Sequence, residues 1–301
     1  MSNKKNLAKI IIFYNRKGGV GKTTLSGNFA AYLAKESMKK KKMVLYLDMD
    51  PQTNATTTYL GYDKEVVSKD PTTYPNILNL VGADIPELDM HIPKEDDPRK
   101  LIRKAPNFNL FTILSNIKID TYWNKDPLLQ DNYAALIEPL NKIREYFEYI
   151  IIDVGPSQDY LTCSAITASD YIILPADCSK SSIDNMGIFF NEMFPLFNSI
   201  NPDLKVLGLV CNKYDRNKFS FYEDTLRPVA QEFGIYLFES KINTSTGLND
   251  PSGKSIKSKS GLERCVICFD KFVKKNYPSA YADLHAFVLE VLLRISEEET
   301  E

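Results

Sequence analysis

Asn15-Arg16-Lys17-Gly18-Gly19-Val20-Gly21-Lys22-Thr23-Thr24 follows the apolar run Ile10-Ile11-Ile12-Phe13-Tyr14 and precedes Leu25 to Ala34, a stretch of helical composition. Strand, glycine-rich loop and helix in that order are the setting a nucleotide-binding loop requires. Gly18, Gly19 and Gly21 open backbone conformations closed to other residues, so successive N–H groups can turn inward on a polyphosphate at the positive end of the following helix. The pattern gives Lys22 to the β- and γ-phosphates and the Thr23 hydroxyl to Mg2+. A lone Gly-x-Gly would say little. A complete Gly-Lys-Thr-Thr between a strand and a helix predicts a phosphate site rather than a plain turn.

Lys17 is a second lysine at the start of the same loop. It cannot easily fold back onto phosphates already met by Lys22 and the loop amides, but it can reach a nucleotide held by a facing copy. It therefore predicts a dimer. With that, residues 17–24 match without substitution the pattern Lys-Gly-Gly-x-Gly-Lys-Thr-Thr, and the chain resembles the deviant Walker A superfamily, the ParA/MinD/Soj ATPases. The resemblance implies ATP and Mg2+ as cofactors and gives Lys17, Gly18, Gly19, Val20, Gly21, Lys22, Thr23 and Thr24 to the nucleotide. It also implies that Lys17 crosses a nucleotide-sandwich homodimer to the partner's phosphates.

Bulk properties are compatible with this. The chain has 301 residues, enough for one large α/β domain, and 44% hydrophobic with 25% charged residues is ordinary for a globular protein. A formal net charge of −2 gives no global pull toward nucleic acid or an anionic membrane, so any such binding needs a local patch. No stretch approaches the ~20 apolar residues that span a bilayer, and the N-terminal segment leads into a strand rather than a secretory h-region. Five scattered cysteines fit reduced thiols better than a disulfide framework. A cytoplasmic protein is expected.

Further along, Lys39-Lys40-Lys41-Lys42 reads as a solvated helix end, and Met43 to Leu47 as a strand running into Asp48-Met49-Asp50-Pro51-Gln52. Asp48 and Asp50 sit at the carboxyl edge, where ligands of open α/β sheets bind. The family pattern is a hydrophobic strand followed by Asp-x-Asp-Pro-Gln; by that resemblance Asp50 orients and polarises the attacking water, as a catalytic residue with Lys17 and Lys22, and Asp48 lies near the magnesium shell. Tyr149 to Ile152 is an apolar run that leads into Asp153, the way a buried parallel strand delivers a carboxylate to a Mg2+-bound water. Thr23, Asp48 and Asp153 are thus the expected metal residues. Asn212 ends the strand-like run from Val206, where relatives place a residue on the adenine edge, and an amide carries the donor and acceptor for that contact.

Strands alternating with helices, short and apolar, predict an α/β fold: a doubly wound, mostly parallel sheet flanked by helices, a P-loop NTPase of the deviant Walker A kind in a single domain over 1–301. Residues 61–131, broken by Pro71, Pro75, Pro86, Pro93, Pro98 and Pro106, read as a family-variable insertion, except that Leu110 to Ser115 is strand-like. A helical pattern is expected from Leu128 to Phe147. The last helix places Leu284, Phe287, Val288, Val291, Leu292 and Ile295 on one face and ends in an acidic run, so it is expected to pack on the core rather than lie on anionic lipid.

Two basic or thiol features stay open. Residues 251–275 hold Lys254, Lys257, Lys259, Arg264, Lys271, Lys274 and Lys275 against Glu263 and Asp270, a local excess able to grip DNA phosphates without reading sequence. A solvated helix and loop is the alternative. ParA-like proteins carry an Ile-Pro strand end and an arginine-bearing stretch in this region, where this chain has Ile242-Asn243 and no arginine before Arg264. Cys265 and Cys268 could pair with a second copy around zinc or simply be buried as small apolar residues.

The functional expectation is a ParA-type ATPase that partitions plasmid or chromosomal DNA. Its ATP-bound homodimer binds DNA non-specifically, becomes nucleoid-associated, and is released when a ParB-like or centromere-binding partner stimulates otherwise slow hydrolysis. The loop begins near residue 15, which suggests the shorter Soj-like type without operator recognition. A MinD-like ATPase positioning a protein assembly on a membrane or nucleoid is the alternative, with the acidic C-terminal end arguing against a membrane. The iron–sulfur reductase branch is disfavoured by the absence of cysteine between Lys22 and Asp153, and the tyrosine-kinase branch by a tail with only Tyr277 and Tyr281.

Overall fold

The computed structural model describes residues 7–85, 89–106, 109–125, 132–214, 219–244, 256–257, 263–264 and 278–300. The first strand, β1 (Lys9–Phe13), lies in the middle of an eight-stranded sheet. The other strands are β2 (Val44–Asp48), β5 (Ile102–Lys104), β6 (Leu110–Ile113), β7 (Tyr149–Asp153), β8 (Tyr171–Ala176), β9 (Lys205–Tyr214) and β10 (Leu237–Asn243). Their order is β10-β9-β8-β1-β7-β2-β6-β5, parallel throughout except for the antiparallel β5–β6 edge. Two small hairpins stand apart, β3 (Ala83–Ile85) with β4 (Met90–Ile92) and β11 (Ile256–Lys257) with β12 (Glu263–Arg264).

Apart from Lys9 at the start of β1 and the terminal Asp48 and Asp153, β1, β2 and β7 carry apolar or aromatic residues on both faces because both sheet faces are covered. Ile10, Ile12, Leu45, Leu47, Ile150, Ile152, Ile172 and Leu174 point into one core, and Ile11, Phe13, Val44, Tyr46, Ile151 and Ile173 into the other. The second core is closed by α1 (Lys22–Lys39) and by the long C-terminal helix α8 (Pro278–Glu298), where Phe13, Phe29, Phe238 and Phe287 meet edge to face or tilted. The first core is closed by α2 (Ile119–Lys125), α3 (Ile137–Asn141), α4 (Tyr160–Thr167), α5 (Lys180–Ile188), α6 (Phe194–Ile200) and α7 (Phe219–Glu232). This is the doubly wound α/β arrangement read from the sequence.

Leu284, Phe287, Val288, Val291 and Ile295 of α8 are buried and Leu292 packs partly against them, as the spacing predicts. No helix of the described residues is long and apolar enough to cross a membrane. The stretch after Asn132 differs from the expected long helix. It forms turns, the five-residue α3 and a single 3-10 turn at Arg144–Tyr146, because Pro139 is tolerated only in a first helical turn. Within 61–131 lie the β3–β4 hairpin, the antiparallel edge strand β5 and the parallel strand β6, and Ile77, Leu78, Leu80, Ile92, Leu101 and Trp123 are buried in the same core as β1 and β7.

Candidate nucleotide site

The loop after β1 is anchored before it is shaped. Asn15 is buried; its side-chain amide donates to the Pro175 carbonyl at 2.7 Å, and its Oδ1 accepts the Lys17 amide at 2.8 Å. This ties the loop to the end of β8. Gly21, at φ 91°, is the residue just before α1, and a Cβ there would lie 2.0 Å from Asn212 Nδ2. Asn212 in turn donates to the Val20 carbonyl at 2.7 Å, so β9 and the loop interlock at a point where only glycine fits.

Gly18, Gly19, Gly21, Lys22, Thr23 and Thr24 line one cleft of about 390 Å³ with Asp50, Asn54, Pro156, Asn212, Lys213 and Asn243. Of the residues expected at the nucleotide, Lys17, Val20, Asp48 and Asp153 are not in this lining. Val20 is fully buried. The Lys22 side chain is buried, with Nζ donating to the Asn15 carbonyl at 2.9 Å and the Lys17 carbonyl at 3.1 Å. Burial lowers its pKa, against the opposing pull of Asp153 and Asp50. A buried ammonium held by two loop carbonyls is able to exchange them for the oxygens of an anionic ligand.

Asp48 and Asp153 stand side by side in register at the ends of β2 and β7, both fully buried. Asp48 accepts backbone amides of Thr56 at 2.6 Å and Asp50 at 3.2 Å. Asp153 Oδ1 accepts the Ser26 hydroxyl at 3.0 Å, whereas its buried Oδ2 has no hydrogen-bond partner among the described residues. Burial raises Asp48 to about 7, over the lowering effect of the Thr56 amide. Burial first, and the neighbouring Asp48 charge second, raise Asp153 to about 8. Two crowded carboxylates, one with an orphaned oxygen, beside the Thr23 hydroxyl form a hard oxygen donor set that a divalent cation would satisfy. The residues fit Mg2+. Asp50 is more open: it lines the cleft and its Oδ1 accepts the Gln52 amide at 2.9 Å.

Lys17 turns away from this cleft. Its Nζ reaches both Asp177 oxygens, at 2.8 and 2.6 Å, and Ser179 Oγ at 2.6 Å. Asp177 Oδ1 also accepts the Ser179 and Ser182 hydroxyls, at 2.7 and 2.6 Å, and Ser179 caps the start of α5. Burial would raise Asp177, but the hydrogen bonds from Lys17, Ser182 and Ser179 hold it at about 2.

The AAA domain family matches residues 8–206, which contain the loop, Asp48, Asp50, Asp153 and the Asp177 turn. The chain belongs to that family, within the ParA/MinD superfamily of P-loop ATPases. The sporulation initiation inhibitor protein Soj of Bacillus subtilis is 30% identical over 210 residues, which cover 69% of this chain and 74% of Soj. The chromosome partitioning protein ParA of Myxococcus xanthus is 28% identical over 282 residues, covering 91% of each. In fold, Cyanothece McdA solved as an ATP complex superposes with a TM-score of 0.69 at 19% identity, covering 95% of this chain and 97% of McdA.

For this P-loop ATPase the sequence missed several groups that shape the site. Asp177 and Ser179 hold Lys17, Asn15 anchors the loop and Ser26 braces Asp153. Asn243 lines the cleft, with its main-chain and side-chain nitrogens donating to Asp283 Oδ2 of α8 at 3.2 and 2.7 Å. Asn15, which opens the quoted motif, and Asp177, at the carboxyl end of β8, carried a positional signal; Asp283 carried none. The basic stretch Lys254–Lys275 and the Cys265/Cys268 pair lie outside the described residues, apart from the backbones of 256–257 and 263–264.

Proposed function

We propose that this ATPase is a ParA-type partition protein for plasmid or chromosomal DNA, and that ATP bound with Mg2+ closes it into a sandwich homodimer. The observation that carries the reading is a loop whose second lysine, Lys17, is directed out of its own cleft while Lys22 is drawn in. Only one of the two lysines is placed to serve the nucleotide of its own chain. Kinship with Soj and ParA supports the same reading.

In this reading residues 1–301 act as one ParA-like domain in which 61–131 varies with partner. Gly18 to Thr24 hold the triphosphate and Asn212 the adenine edge. Thr23, Asp48 and Asp153 would hold Mg2+, which would supply charge neutralisation at the triphosphate. Asp50, open to the cleft, orients the attacking water. Phosphoryl transfer depends on positioning and charge neutralisation, so a site short of Lys17 from its twin and of an activating partner turns over slowly. Hydrolysis then serves as a timer for release by a ParB-like or centromere-binding protein. The stretch Lys254–Lys275 supplies non-specific DNA contact, and the ATP form associates with the nucleoid from the cytoplasm.

A DNA mobility shift with ADP, ATP and a non-hydrolysable analogue across a salt series tests it. Retardation that needs the triphosphate and weakens with salt supports partitioning. Equal retardation in all three nucleotides contradicts it, and no retardation in any of them contradicts it and favours the MinD-like alternative.

A further inference from the structure

Cys178 and Cys211 bring their sulfurs within 3.6 Å of each other in the wall beside the nucleotide cleft. Cys211 is fully buried on β9, in register with Ala176 on β8, and Cys178 is half-buried two residues beyond Ala176. Each cysteine adjoins a residue that shapes the site. Cys211 precedes Asn212, which grips the Val20 carbonyl, and Cys178 lies between Asp177 and Ser179, the two residues that hold Lys17 Nζ.

We infer that Cys178 and Cys211 are an oxidation site for a hydroperoxide, which closes them into a disulfide that clamps the Lys17-holding turn to β9. The chemistry balances with the peroxide as oxidant. The Cys178 sulfur attacks one peroxide oxygen, the O–O bond breaks, and water or an alcohol leaves, with Cys178 as sulfenic acid. The Cys211 sulfur then displaces that hydroxyl as water and forms the S–S bond. Two thiols lose two electrons and two protons in all, and the peroxide is reduced. The sulfurs need to close only from 3.6 Å to about 2.05 Å.

The order of attack follows from the surroundings. Cys178 is the more accessible sulfur and meets a peroxide first, whereas Cys211 is fully buried on β9 behind it. Nucleophile and resolving thiol are therefore distinct. Once bonded, residue 178 can no longer move independently of β9, and residues 177 and 179 are held in the arrangement that binds Lys17 in its own chain. The oxidised ATPase keeps Lys17 to itself. This last consequence rests on the dimer reading above.

The test treats the full chain with hydrogen peroxide, maps its cross-links by peptide mass spectrometry, and follows self-association with a non-hydrolysable ATP analogue. A Cys178–Cys211 bond that dithiothreitol reverses is expected. It should survive in C163S, vanish in C178S and C211S, and be replaced in C211S by a dimedone-trapped sulfenic acid at residue 178. Absence of that bond, or reaction centred on Cys163, overturns the oxidation site whatever the protein does with ATP. Oxidised protein should lose ATP-driven dimerisation that reduced protein shows; equal dimerisation of both overturns the clamp. Reduced protein that stays monomeric with the analogue instead refutes the dimer reading, and the mapping still decides the oxidation site.

Discussion

Lys17 Nζ is bound to Asp177, at 2.6 Å from Oδ2, and to Ser179 Oγ, also at 2.6 Å, so the lysine expected to serve a facing copy is held in its own chain by the end of β8. Both partners are about one-fifth exposed, so the ion pair is neither freely solvated nor fully desolvated. Hydrogen bonds to charged groups contribute on the order of 1.5–3 kcal/mol, enough to bias a conformational equilibrium without fixing it. The same ammonium cannot stabilise its own loop's turn and a twin's triphosphate at once.

Asp177→Ala therefore removes a competitor for Lys17. The variant is expected to dimerise at ATP concentrations about tenfold lower than wild type, the equivalent of roughly 1.4 kcal/mol. Sedimentation across an ATP titration reads it directly. Weaker dimerisation of a folded Asp177→Ala would mean that the pair supports the dimer rather than restrains it.

The paired carboxyls give a pH signature. Asp48 is raised from 3.8 to about 7 and Asp153 from 3.8 to about 8, so between those values the folded chain holds protons that the unfolded chain has released. Stability of the metal-free protein must then fall as pH rises through that window and level off above it. The melting temperature without Mg2+ is expected to drop from about pH 5 to pH 8 and the slope to flatten in Asp153→Asn, while the gain on adding Mg2+ with nucleotide grows over the same range. A metal-free melting temperature that rises with pH, and keeps its slope in Asp153→Asn, would contradict the buried pair.

Gly21→Ala tests the interlock of loop and β9. Its φ of 91° alone costs an L-residue roughly 1–2 kcal/mol, and its Cβ would meet Asn212 Nδ2 at 2.0 Å. A lower melting temperature together with lost nucleotide binding is expected by thermal shift and equilibrium titration. Gly187→Ala, inside α5 with nothing within 4 Å of the added carbon, should be neutral or slightly stabilising.

In the cleft lining, Asn212 and Asn243 have their amide nitrogens occupied, by the Val20 carbonyl and by Asp283. Each side chain is left with an oxygen acceptor, which suits the amino group of adenine and repels the 6-oxo group of guanine. Asp283→Ala frees the Asn243 amide to turn. The preference for ATP over GTP is expected to fall roughly five- to tenfold, about one hydrogen bond's worth, in competition binding. An unchanged preference would remove Asn243 from base selection.

The fold and the phosphate end of the site were legible because both are written in short, contiguous patterns. Apolar runs marked β1, β2, β7 and β9, and the loop's glycines and Lys22 announce themselves within ten residues. Asp48 and Asp153 end strands and Asp50 lies two residues past one, and strand ends of a parallel sheet gather at one edge. What stayed illegible depends on contacts between distant segments. Asp177 meets Lys17 across 160 positions and Asp283 meets Asn243 across 40, and no local period encodes either. Residues 61–131 resisted reading because prolines break their periodicity, although Ile77, Leu80 and Trp123 share the main core.

The most direct test of the account is sedimentation of wild type and Lys17→Ala with Mg2+ and a non-hydrolysable ATP analogue, nucleotide occupancy being measured in the same samples. Both proteins are expected to bind the nucleotide, but only wild type to sediment as a dimer. A Lys17→Ala protein that dimerises as wild type does, or a wild type that stays monomeric when saturated, would contradict the cross-subunit role of Lys17.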